Sequence, residues 1–199
     1  MSSVREPIKV TSIDKKNRII NAGLEAFSIE GYYNTTTAKI AKRANVSTGI
    51  VYSYFKDKKD ILIYAVKRYF ETLYLPIENK LKNTNQPFDL RLLVNDIINI
   101  SSEKHEEEKA LHEEMVAMSH LDDDVHHIFM EGENKITDEI INFLENNNII
   151  FNNMKEKVHM AYNLIENYCH EEIFHKHEYI NYNIFKNLVI DSILNLLQI

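Results

Sequence analysis

An all-α fold is what this chain predicts, and three observations carry the expectation. Only 4 glycines and 3 prolines occur in 199 residues, too few turn-formers for a many-stranded sandwich or barrel. Apolar positions recur at helical spacing, as at Ile20, Leu24 and Phe27 with Gly23 between them. Between the periodic stretches stand capping residues and breakers, which mark helix ends. The 26 isoleucines are weak evidence for strands. Asn, Ile and Lys together supply 66 residues, a third of the chain, so the bias is one of overall composition.

The first helix is predicted over residues 12–30, stopped by Gly31. Thr35, Thr36 and Thr37 form an N-cap cluster before a short second helix, Ala38 to Ala44. A turn at Asn45-Val46-Ser47 follows, with Asn suited to a left-handed backbone. Ser47 then caps a third short helix ending at Tyr54. A fourth begins near Asp57 and is predicted to kink or end at Pro76. Asp89 caps a fifth helix to about Ser102, and a sixth covers roughly 106–120. Asp122–Asp124 opens a long seventh reaching Leu144, broken by Asn146-Asn147-Asn148. The last two are expected at about 152–174 and 181–197.

Charge divides the chain unevenly. Residues 1–75 carry 13 basic and 7 acidic side chains, a net of +6, whereas the remainder carries −13. A basic segment on an acidic protein points to an anionic partner for that segment alone, nucleic acid first among them. Two short capped helices joined by a tight turn describe a helix-turn-helix, whose second helix enters the DNA major groove. That helix is Ser47-Thr48-Gly49-Ile50-Val51-Tyr52-Ser53-Tyr54. Gly49 is costly there, which either close approach to DNA or internal packing would explain.

These residues resemble a known family. Gly31-Tyr32-Tyr33-Asn34-Thr35-Thr36-Thr37-Ala38-Lys39-Ile40-Ala41, then Ala44 through Phe55, then Lys58 and Ile61-Leu62 are similar to the tetracycline-repressor (TetR) family. The resemblance covers about residues 15–65, with Asn45 where Gly is usual and Ile61 where Leu is usual. It implies a helix-turn-helix DNA-binding domain over 1–58 and a helical ligand-binding and dimerisation domain over 59–199. It also implies roles for particular residues. Thr36, Thr37, Tyr52 and Lys58 match phosphate-contacting positions, Ser47 caps the reading helix, and Thr48, Gly49 and Ile50 match base-facing ones. Ile40, Val46, Val51 and Phe55 read as the motif's own core. The reading helix has no Arg, Lys, Asn or Gln for bidentate base contacts, so A/T-rich, pseudo-palindromic operators are expected, with Ile50 against a thymine methyl.

The expected protein is a dimeric repressor on double-stranded DNA, released by a small-molecule inducer. Control by a protein partner, or by no ligand, is the alternative. Apolar stripes on the last two helices, including Leu188 and Ile193, suggest a homodimer through a four-helix interface. An inducer pocket is expected among the middle helices, with Leu93, Ile97, Ile100, Met115, Met118, Phe129, Tyr162 and Glu166 as candidate lining. Surplus acid in this half leaves room for a cationic lipophilic ligand.

No cofactor is expected. Adjacent histidines such as His126-His127 point about 100° apart on a helix and do not readily chelate one ion, so no metal is assigned to them or to His170, Glu171, His175 and His177. The longest apolar run is Ile61–Val66, so no membrane span is expected, and with no export signal and one cysteine, Cys169, a cytoplasmic protein is. Glycine-rich phosphate loops, nucleophile elbows and paired zinc-protease histidines are missing from the sequence, so an enzyme is not expected.

Overall fold

The computed structural model describes residues 10–197. Among them the chain forms nine helices and no strand: α1 (Val10–Glu30), α2 (Thr37–Arg43), α3 (Thr48–Tyr54), α4 (Lys58–Lys82), α5 (Leu90–Glu107), α6 (Lys109–Ser119), α7 (Asp123–Asn146), α8 (Met154–Ile173) and α9 (Tyr182–Leu197). None is long and apolar enough to cross a membrane. Residues 1–9, 198 and 199, at the outer ends of the two expected domains, lie outside the described residues.

Two elements depart from expectation. Pro76 does not end α4, since the helix continues to Lys82. Leu73, Ile77 and Leu81 are all buried at i, i+4 and i+8 spanning the proline. Burying that stripe offsets the lost backbone hydrogen bond, which costs about 3 kcal/mol. The α5 helix also runs past Ser102 to Glu107, because nothing in the acidic run Glu106–Glu108 competes for the backbone. The caps fall as expected. Thr36, Ser47 and Asp89 accept from the backbone N–H three residues on, Asp89 at 3.2 Å.

Contacts gather the described residues into two compact units. The first lies within Met1–Tyr69 and Ala110–Met130, the second within Phe70–Lys109 and Glu131–Ile199. The corner of α6 and α7 thus groups with the N-terminal helices, whereas the sequence placed everything after residue 58 in one domain. In the first unit, Ile40, Val51, Phe55, Ile61 and Leu62 are fully buried, the core expected of the motif, while Val46 is half-buried. Here α2 packs on both α1 and α3. In the second, α5, α8 and α9 pack on one another around Ile98, Cys169 and Ile193.

Candidate nucleic-acid interface

The turn between α2 and α3 forms because Asn45 accepts a left-handed backbone, at φ 52°. Its N–H reaches the carbonyl of Lys42 at 3.2 Å and that of Val46 reaches Ala41 at 3.0 Å, which closes α2. Asn serves where the family uses Gly. On the far side Ser47 Oγ caps α3 by accepting from Ile50 N–H at 3.4 Å. Ser12 Oγ and Tyr54 Oη, 2.8 Å apart, tie α1 to α3.

This arrangement turns one face of α3 outward. Thr48 and Gly49 are exposed, Ile50 is half-buried, and Tyr52 is half exposed. The Tyr52 and Thr37 hydroxyls meet at 2.9 Å, so α2 and α3 present them as one patch. Thr36 is exposed beside it, its own hydroxyl accepting from Lys39 N–H at 3.3 Å. Gly49 is not a packing glycine. A Cβ there would meet only Ser47 Oγ, at 4.0 Å, in otherwise open space. No neighbour in the chain therefore accounts for the helix propensity that Gly49 gives up.

Several basic side chains of this unit are already engaged. Lys39 lies 2.5 Å from Glu30, and Arg43 pairs with Glu25 at 2.9 Å and Glu30 at 3.2 Å. Hydrogen bonds from Lys39 and then Arg43 hold the Glu30 carboxyl below the usual range. Lys58, matched by resemblance to a phosphate ligand, turns its ammonium inward. It donates to the carbonyls of Tyr32 at 2.7 Å, Thr35 at 3.0 Å and Tyr33 at 3.4 Å, and sits 4.3 Å over the Tyr32 ring. Burial pushes this ammonium's pKa down, and the charge of Glu114 opposes the shift. Lys42, on α2, and Lys56, just after α3, carry no motif signal and are exposed.

The expected ligand residues divide between the units. Leu93, Ile97 and Tyr162 line a cavity of about 50 Å³ in the second unit, together with Phe143, Ile165 and Ile193 among others. Ile100 and Glu166 belong to that unit without lining the cavity, and Glu166 instead lies 3.3 Å from Nε2 of the buried His105. Met115 and Met118 are core residues of the first unit, and Phe129 is half-buried there. No acidic side chain lines the cavity, so the surplus acid of this half offers no counter-charge to a cationic ligand inside it. Asp122 is a helix cap, accepting from Asp124 N–H at 3.0 Å and Val125 N–H at 3.2 Å. Lys59 bridges Asp122 and Asp124 at 2.7 Å each.

The geometry of α2, the turn and α3 is that of a helix-turn-helix, and the comparisons agree on this segment. Residues 19–65 match the family described as "Bacterial regulatory proteins, tetR family". The likeness to that family lies in these N-terminal helices. The HTH-type transcriptional regulator HbdR of Aromatoleum sp. (strain CIB) is 38% identical over 76 residues, covering 38% of this chain and 33% of HbdR. A fatty acid metabolism regulator protein of Bacillus subtilis is 45% identical over 53 residues, 27% of each chain. The chain thus matches a third or less of these relatives' length. A solved TetR-family regulator from Mesorhizobium loti shares the fold almost end to end, with TM-score 0.77 and 18% identity, covering 96% of this chain and 98% of that one. HbdR and the Mesorhizobium loti protein are both named as transcriptional regulators.

Proposed function

We propose that this protein is a one-component transcriptional regulator, a cytoplasmic dimer that represses from a pseudo-palindromic operator. The observation that carries this reading is the outward face of α3, where Thr48, Gly49 and Ile50 stand open beside the paired hydroxyls of Thr37 and Tyr52. Among the described residues a Cβ at position 49 would meet only Ser47 Oγ, at 4.0 Å, but would hold a base edge away. Thr36 and Thr37 open α2, where unpaired backbone N–H groups favour an anion. Residues 1–58 would contact DNA and 59–199 would supply the dimer interface and control.

Replacing Tyr52 with Phe and Ile50 with Ala should separate the two kinds of contact. The first removes a phosphate-directed hydroxyl and keeps the ring. Affinity should fall by about 0.5–1.5 kcal/mol on every operator variant alike. The second removes apolar contact with base edges, and should relax preference at one or two positions per half-site. A panel of single-base operator variants at one salt concentration reads both. If Tyr52→Phe altered the preference while Ile50→Ala weakened all sequences equally, the faces of α3 would be assigned wrongly.

For control we favour an apolar chain, such as an acyl group, entering the second unit's cavity. Its lining is hydrocarbon apart from Tyr162, and one relative regulates fatty acid metabolism. The cavity's size favours the second reading, regulation without a ligand. At about 50 Å³ it is well below the roughly 150 Å³ that admits benzene. A ligand must therefore part α5, α7, α8 and α9. A thermal shift with long-chain but not short-chain acyl compounds supports the first reading, and no shift with either supports the second.

A further inference from the structure

The turn from α1 to α2 is gripped by two charged groups from distant parts of the chain. Gly31 ends α1 with a left-handed backbone, φ 75°, and its N–H returns to Phe27 O at 2.9 Å. That is the single-bond αL stop; in the Schellman form the Phe27 carbonyl would instead accept from the next N–H, that of Tyr32. Here that donor, Tyr32 N–H, goes elsewhere. It hydrogen-bonds the carboxylate of Glu114, which lies on α6, 82 residues away. Both Glu114 oxygens would stand 3.8 Å from a Cβ on Gly31. From the start of α4, Lys58 holds the carbonyls of Tyr32 and Thr35 in the same turn. One residue further on, Thr36 caps α2, and Thr37 meets Tyr52.

We propose that Glu114 is a positioning residue for DNA binding. With Lys58 it clamps the α1–α2 turn, so that the Thr37 hydroxyl, paired with that of Tyr52, is presented to a phosphate at a set angle. An anion takes the turn's N–H and a cation takes its carbonyls, which leaves the segment little freedom to rotate. The effect passes from α6 through a backbone hydrogen bond to groups that face the DNA, and Glu114 itself touches no nucleic acid. This inference rests on the DNA-binding reading above.

The test uses duplexes that the wild-type chain selects from a random pool. Glu114→Ala should weaken binding to them by about three- to tenfold, since only part of the free energy of one hydrogen bond to a charged acceptor is passed on to the DNA contacts. Glu114→Gln keeps an oxygen that accepts from Tyr32 N–H and should bind within about twofold of wild type. Hydrogen exchange at the Tyr32 amide should accelerate in the alanine variant while the α6 amides stay protected. Should the alanine chain fail to fold, Glu114→Asp, which withdraws the carboxylate by one methylene, carries the same expectation. Wild-type affinity in Glu114→Ala overturns the clamp. So does a glutamine variant as weak as alanine with a lowered melting temperature, since that marks general destabilisation. A wild-type chain that selects no DNA overturns the regulator reading itself, and is distinguished by Tyr32 exchange still responding to Glu114.

Discussion

Replacing both Ile184 and Leu188 with Asp is expected to turn a dimer into a folded monomer. These side chains are 59% and 57% exposed, one turn apart on α9. Met160 on α8 is likewise 54% exposed. Isolated chains would carry aspartates there at little cost, because water still reaches them. A two-fold interface would bury each charge against an apolar partner, at several kcal/mol apiece. Ile193 provides the contrast. The sequence pattern grouped it with Leu188, yet it is 1% exposed and lines the second unit's cavity. Its replacement by Asp should unfold that unit rather than split a dimer. Sedimentation velocity and far-UV melting separate the two results, and a tight dimer surviving both outer-face changes places the interface elsewhere.

Affinity for DNA should fall by about a hundredfold between 50 and 200 mM salt, given about four phosphates neutralised per dimer. The cations expected to matter are Lys42 and Lys56, both exposed. Lys39 and Arg43 already face Glu25 and Glu30 and displace fewer counterions. Lys58 is engaged by three carbonyls. Gln at position 42 or 56 should therefore flatten the log–log salt plot, each by about two counterions per dimer. Lys58→Gln should lower affinity at every salt concentration and leave the slope alone. A slope that drops with Lys58→Gln would mean the ammonium leaves the turn to meet DNA.

What could be read from the sequence was local. Caps at Thr36, Ser47 and Asp89, the asparagine turn and the spacing of α2 and α3 each depend on a few neighbouring residues, and each fell where expected. That α4 runs on past Pro76 was harder to read, because local rules count its missing N–H but not Leu73, Ile77 and Leu81 buried across it. The inward turn of Lys58 and the reach of Glu114 to Tyr32 are long-range. Nothing within ten residues of Glu114 announces its partner, so a solvated acidic face was the natural reading of that helix. Met115, Met118 and Phe129 looked like pocket lining because apolar residues at helical spacing look alike in any core.

The lone thiol makes the second unit its own stopwatch. Cys169 is fully buried, 3.4 Å from Ser102 Oγ, and burial, then the charge of Glu166, pushes its pKa up to about 12. Alkylating reagents attack the thiolate, and in the closed unit almost none exists. Labelling therefore proceeds only during the moments when α5 and α8 separate and the sulfur regains an ordinary acidity. With one cysteine in the sequence, every modified molecule records one such opening. The mass of the intact chain, followed over time, gives the free energy of that opening without any residue being replaced.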